Sequence, residues 1–170
     1  MSKKLYRIIL LNGPSSSGKS SLSRSLKTLL KEEKNLDYQI VSIDDFMKLR
    51  TDEKIYEDDV FEISSDMCDK TIEYLKDSDG VIIDHVITSE RIFEQLLDRT
   101  NGYELLKVHV TCPLDELLKR ESDRGNRCIG SAEASYQYLY PKDGYDLEVD
   151  TSKHSTEECA IMIINKLQSN

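Results

Sequence analysis

The stretch Gly13-Pro14-Ser15-Ser16-Ser17-Gly18-Lys19-Ser20 has the spacing G-x-x-x-x-G-K-[ST]. It stands between an apolar run, Leu5 to Leu11, and a segment of helical period, Lys19 to Lys31. In that setting the spelling predicts a loop that wraps a phosphate. Glycine permits positive φ and close backbone approach, so successive N–H groups can turn inward at an anion, and the following helix start adds its partial positive charge. Lys19 is expected to bridge β- and γ-phosphate oxygens as a point charge, and Ser20 to offer its hydroxyl to Mg2+. Gly13, Pro14, Ser15, Ser16, Ser17, Gly18 and the adjoining Ser21 complete the predicted cradle. The implied ligand is a nucleoside triphosphate.

Beyond the loop, short apolar runs alternate with helical stretches, as parallel strands joined by helical crossovers require. The expected strands are Leu5 to Leu11, Tyr38 to Ile43, Gly80 to Val86, Leu105 to Thr111 and Leu147 to Val149. The expected helices are Lys19 to Lys31, Ser65 to Lys76, Ser89 to Leu97, Pro113 to Ser122, Ala132 to Leu139 and Thr156 to Leu167. Pro113 suits a first helical turn with Thr111 as a cap before it, and Ser155 with Glu158 has capping-box spacing. The acidic run Glu57 to Asp59 reads as solvated loop. The fold class is α/β: a P-loop NTPase with a five-stranded parallel sheet flanked by helices. Residues 1–170 read as one domain. The stretches Arg50 to Glu62 and Asp123 to Gly144 lack a clear pattern, which in such folds marks functional connections, and a lid is expected over about 123–144.

Composition agrees with one globular domain. The 170 residues include 38% hydrophobic and 32% charged side chains, with 23 Lys and Arg against 32 Asp and Glu and a net charge of −9 at pH 7. At this length no metal or disulfide staple is needed. An acidic surface without a basic block repels a phosphate backbone, so no nucleic-acid partner is expected. The longest apolar runs, such as Ile8 to Leu11 and Val81 to Ile83, are far short of the ~20 residues of a spanning helix, so no membrane partner is expected either. Cys68, Cys112, Cys128 and Cys159 are too widely spaced for a Cys-x-x-Cys pair and read as reduced thiols. With no secretory signal after Met1, the expected location is cytoplasmic.

In an open parallel sheet, ligands bind beyond the carboxyl ends of the strands. Asp44, after the second apolar run, is the candidate base that accepts the proton of a substrate hydroxyl. Asp84, ending Val81-Ile82-Ile83, is the candidate to hold Mg2+ with Ser20. Asp44 or Asp45 could instead cap a helix beginning at Phe46, and His85 reads as structural. Arg120 and Arg124, four apart, would share a helix face with Arg127 beyond its end, and Gly125 and Gly130 flank a hinge. Guanidinium groups delivered there can neutralise a phosphoryl-transfer transition state while water is excluded.

With these residues in view, the chain resembles the chloramphenicol phosphotransferase type of small P-loop kinase, more distantly related to nucleoside monophosphate and shikimate kinases. The resemblance runs from Arg7 to about Leu167. It rests on the loop, on Val41-Ser42-Ile43-Asp44, on Val81 through Val86, on Arg120 through Arg127, and most tellingly on Tyr145-Asp146-Leu147-Glu148-Val149-Asp150-Thr151-Ser152. It implies transfer of the γ-phosphoryl of ATP to a primary hydroxyl of the antibiotic, with Asp44 as base and adenine held by Arg120 and the neighbourhood of Asp150 to Ser152. The leading expectation is an ATP-dependent kinase for a small-molecule alcohol, with Lys19, Arg124 and Arg127 handling charge. Between Met47 and Ile63 the chain is shorter, more acidic and less apolar than the family's acceptor region. Phe46, Tyr56, Phe61, Tyr136 and Tyr138 are aromatic candidates for lining an acceptor pocket.

A kinase for a nucleotide, an adenylylsulfate or a peptidoglycan sugar would instead need a basic acceptor pocket, which Arg50 or Lys54 could supply. A nucleotide switch or toxin-like module needs no acceptor. Against a guanine-reading switch, Asn165-Lys166 is followed by Leu167 and Gln168 rather than by x-Asp.

Overall fold

A computed structural model describes residues 6–48, 57–125 and 129–169. Leu5, Arg50, Lys54, Tyr56, Arg127 and Cys128 lie outside the described residues. The elements are β1 (Ile8–Asn12), α1 (Lys19–Lys34), β2 (Tyr38–Ser42), α2 (Ile43–Met47), α3 (Glu57–Leu75), β3 (Gly80–His85), α4 (Glu90–Arg99), β4 (Leu105–Thr111), α5 (Leu114–Arg124), α6 (Ser131–Tyr138), β5 (Leu147–Asp150) and α7 (Thr156–Gln168). The five strands form one parallel sheet in the order β2-β3-β1-β4-β5.

Period-two alternation in β1 sorts the core into two layers. Ile9 and Leu11 face Leu22, Leu26 and Leu30 of α1 and Ile163 of α7. Ile8 and Leu10 face Met67 and Cys68 of α3 and Phe93 of α4. Both faces of the central strand are therefore covered, and all five of its residues are buried. The expected capping box at Ser155 and Glu158 starts α7. Cys68, Cys112 and Cys159 are buried free thiols, and burial pushes Cys68 up to about 11, far from reactive.

Three local expectations change. The strand expected over Tyr38 to Ile43 stops at Ser42, and Asp44 and Asp45 belong to the first turn of α2 rather than to a strand end or a cap. Ser42 occupies the N-cap position but makes no side-chain cap, because its hydroxyl donates to Asp84. The acidic run Glu57 to Asp59 is the first turn of α3, not a loop; three carboxylates there meet the positive end of the helix dipole. Pro113 stands at the N-cap of α5, so Thr111 does not cap it, and the helix reaches Arg124.

A short pair, α5 and α6, stands over the carboxyl edge and shares a small core of Cys112, Leu117 and Ala132. Glu121, buried at 5% exposure, holds the pair together. Its Oε1 accepts from Ala132 N at 3.0 Å and its Oε2 from Gly130 N at 3.4 Å, so a carboxylate from α5 serves the orphan amides at the start of α6. Glu121→Ala leaves those amides unserved and is expected to lower stability by about 1–3 kcal/mol. Urea denaturation reads this directly, and an unchanged midpoint would mean that the carboxylate contributes nothing.

Candidate functional site

Gly13 and Gly18 bracket the loop for different reasons. A Cβ on Gly13 would lie 2.2 Å from the Val110 carbonyl oxygen, so only glycine lets the loop rest against β4. Gly18 takes φ 92°, which any Cβ would strain, and leads straight into α1. Ser16 adopts φ 71° without being glycine, a backbone state found at ligand clamps. The hydroxyls of Ser15 and Ser16 are buried without a hydrogen-bond partner, the condition of groups that await a ligand. Lys19 is 6% exposed and folds over its own loop, donating from Nζ to the Pro14 carbonyl at 2.9 Å.

Asp84 is 3% exposed, and one of its oxygens accepts from two hydroxyls: Ser20 Oγ at 3.0 Å and Ser42 Oγ at 3.1 Å. The sheet register makes this possible, because Asp84 stands beside Leu11 of β1 and Ser42 of β2. Asp84 and Ser20 supply hard oxygen donors at the mouth of the loop. Mg2+ takes one or two protein oxygens and fills its remaining positions with phosphate and water, so this pair fits it. Among the described residues no group of three or more His, Cys, Asp or Glu forms a denser metal site.

A cleft of about 350 Å³ brings together Ser15, Lys19, Ser20, Asp44, Asp84 and Arg124. Asp44 and Ser15 also border a second cavity of about 420 Å³, walled by Val60 of α3, Val86 and Thr88 after β3, and Ala134 and Tyr138 of α6. Asp44 thus stands where these two spaces meet, and it also borders a third, of about 710 Å³, with Arg24, Lys48 and Arg124. Of the aromatic candidates among the described residues, only Tyr138 lines this second cavity. Phe46 and Phe61 pack against the core, and Tyr136 borders a separate hollow beside Pro14 and His109.

The arginines divide. Arg124 is exposed and lines the cleft. Arg120 also borders the cleft but is engaged as a brace: it donates to the Ser16 carbonyl at 3.4 Å, to Thr151 Oγ1 and the Thr151 carbonyl, both at 3.1 Å, and pairs with Glu116. Thr151 Oγ1 in turn donates to the Ser17 carbonyl at 2.7 Å. The turn after β5 is thereby fastened to the loop. Ser21, exposed on the first turn of α1, lies at the rim of the cleft.

A family model described as chloramphenicol phosphotransferase-like protein matches residues 6–168. The chain belongs to that family. A search of curated proteins finds no match. Solved structures resemble this chloramphenicol phosphotransferase-like chain in fold. The APS kinase CysC of Mycobacterium tuberculosis, in complex with AMPPNP and APS, aligns with TM-score 0.79 at 19% identity, over 98% of this chain and 99% of that one. A gluconokinase from Sinorhizobium meliloti 1021 gives 0.70 at 18% identity, over 98% and 94%. The tunicamycin resistance protein of Deinococcus radiodurans gives 0.65 at 19%, over 95% of each chain. The fold is that of the P-loop kinases. Among the described residues no helix is long and apolar enough to cross a membrane.

The sequence reading gives no role to several residues of this family member: Asn12, Ser42, Ser64 and Ser135 act through contacts far apart in sequence, and Glu121 through the α5–α6 connection. Ser135 of α6 accepts from Ser15 N at 2.9 Å, which occupies one of the loop amides. His85 is fully buried, as the structural reading expects; its Nδ1 accepts from Val86 N at 2.9 Å, so the Nε2 proton is directed at Ser64 Oγ, 3.1 Å away. Burial, and then the charge of Lys19, hold the imidazole neutral down to about pH 3. The unfolded chain takes up the same proton near 6.5. Between these values the unfolded state binds more protons, so stability is lost as pH falls from about 6.5 toward 3. His85→Gln should flatten that part of the acid dependence. Urea midpoints at a series of pH values test it, and parallel curves for variant and wild type would count against it.

Proposed function

We propose that this protein is one kinase domain spanning residues 1–170 that transfers the γ-phosphoryl group of ATP to the hydroxyl of a small-molecule alcohol. The observation that carries the reading is the position of Asp44, on the boundary between the cleft of Lys19, Ser20 and Asp84 and the less polar cavity beside α6. The family and the kinase fold support phosphoryl transfer.

In this reading the backbone of Gly13 to Ser20, with Ser21 at its edge, receives the phosphates of ATP, and the buried Ser15 and Ser16 hydroxyls gain partners. Lys19 exchanges the Pro14 carbonyl for phosphate oxygens. Ser20 and Asp84 hold Mg2+, which when bound neutralises charge on the phosphates. Asp44 accepts the hydroxyl proton of the acceptor and turns its oxygen toward the γ-phosphorus. A new O–P bond forms as the bond from the γ-phosphorus to the bridging oxygen breaks, and ADP leaves with that electron pair. Arg124 faces the charge that spreads over the equatorial oxygens. Arg120 fixes the loop against the turn after β5 rather than touching the reacting atoms. The lid expected over about 123–144, which includes α6, would exclude water.

The cavity beside α6 offers space for an acceptor next to Asp44. Apolar groups of Met47, Val60, Val86, Ala134 and Tyr138 line it, with hydroxyls from Thr88, Ser131 and Ser135. Among the described residues its lining holds no Lys, Arg or His, and its one charge is the carboxylate of Asp44.

Two outcomes are expected. Lys19→Ala abolishes ATP turnover with an unchanged circular dichroism spectrum, and undiminished turnover would take the loop out of the mechanism. Asp44→Asn lowers acceptor phosphorylation by about 10²–10⁴-fold while ATP affinity holds; equal losses in both would make Asp44 structural. ADP release measured over chloramphenicol, nucleosides, amino sugars and APS identifies the acceptor class, and activity with APS alone would assign an anionic acceptor instead.

A further inference from the structure

Asn12, the last residue of β1, is fully buried, and both ends of its carboxamide are engaged. Its Nδ2 donates to the Tyr140 carbonyl and to Tyr145 Oη, each at 2.9 Å, and its Oδ1 accepts from Ile87 N at 2.9 Å. Tyr140 N donates to the Ile87 carbonyl at 2.9 Å, and Tyr145 Oη to the Pro141 carbonyl at 2.7 Å. Three segments therefore meet on one side chain that directly precedes Gly13. The first is the entry to the phosphate loop. The second is the link after β3 that carries Val86 and Thr88. The third is the stem 139–145 that follows α6.

The second segment lines the acceptor cavity with Val86 and Thr88, and the third continues directly from α6, which lines it too. On α6, Ser131, Ala134, Ser135 and Tyr138 recur at helical spacing and all face that cavity. Only a carboxamide supplies two donors and one acceptor in this volume at no charge. We propose that Asn12 is a positioning residue that sets the distance between α6, the Val86–Thr88 wall and the phosphate loop, and so fixes where the acceptor hydroxyl lies. The role rests on the kinase reading given above, and Asn12 itself touches neither substrate nor phosphate.

Two variants separate this from a general contribution to stability. Tyr145→Phe removes one hydroxyl from the network and leaves the Ile87 contact intact; Asn12→Leu removes all three bonds at similar size. Backbone hydrogen exchange should accelerate about tenfold over 131–145 in Tyr145→Phe, and there and at Ile87 in Asn12→Leu, while amides of α1 and β4 keep their protection. For whichever of chloramphenicol, thymidine and glucosamine the wild-type protein phosphorylates, the acceptor KM should rise about tenfold in both variants with the KM for ATP unchanged. Unchanged exchange over 131–145 in Tyr145→Phe overturns the proposal even if Asn12→Leu fails to fold. A parallel loss of ATP affinity and acceptor affinity overturns it as well. Should the wild-type protein phosphorylate none of the three alcohols, the kinase reading fails on that point, and the exchange data still decide whether Asn12 holds α6.

Discussion

A carboxylate taken out of water must find partners, and Asp84 finds them on two neighbouring elements at once. Ser20 comes from the head of α1 and Ser42 from the end of β2, while Asp84 itself stands on β3 beside Leu11 of β1. The carboxyl edge of the sheet is thereby drawn to a single point under the phosphate loop. From that point the other positions follow. Ser42 spends its hydroxyl on Asp84 and leaves α2 without a side-chain cap, and α2 begins immediately, which carries Asp44 to the junction of the two cavities. The loop is then braced on its far side by Arg120 and Thr151. A buried polar network of this kind is expensive to leave half made, so its members hold one another in place.

Much of this was legible in the sequence because it is local. The loop spelling, the alternation of apolar runs with helical stretches and the acids after the second and third runs depend on neighbours a few residues apart, and they yield five parallel strands, the P-loop kinase family and the meeting of Lys19, Ser20, Asp44 and Asp84 in one cleft. The start of α3 was not legible. Glu57 to Asp59 resemble a solvated loop, and their preference for a helix start emerges only once Val60, Ile63 and Met67 have a sheet to pack against. The strand expected to continue to Ile43 ends one residue earlier for a similar reason, since the bond from Ser42 to Asp84 spans 42 positions.

The remaining silent residues share that property. Asn12 contacts residues 75 to 133 positions away, Glu121 serves amides across the α5–α6 connection, and Ser135 meets Ser15 over 120 positions. Their partners lie on other elements, so periodicity within one element does not reveal these contacts. Arg120 is instructive from the other side: its charge and spacing drew attention, yet its geometry makes it a tie between backbone segments. The type of side chain was informative there, and its job depended on what the fold placed within reach.

The cavity beside α6 owes its walls to α2, α3, Val86 and Thr88 after β3, and the stripe Ser131, Ala134, Ser135 and Tyr138, none of which lies in the sheet. Ala134 and Tyr138 are solvent-facing enough to vary in size at little cost to packing. Such a division lets evolutionary drift, or laboratory selection, retool what the protein recognises while the machinery beneath stays conserved. New specificities in this architecture should therefore arise first as changes of volume and polarity along one short helix.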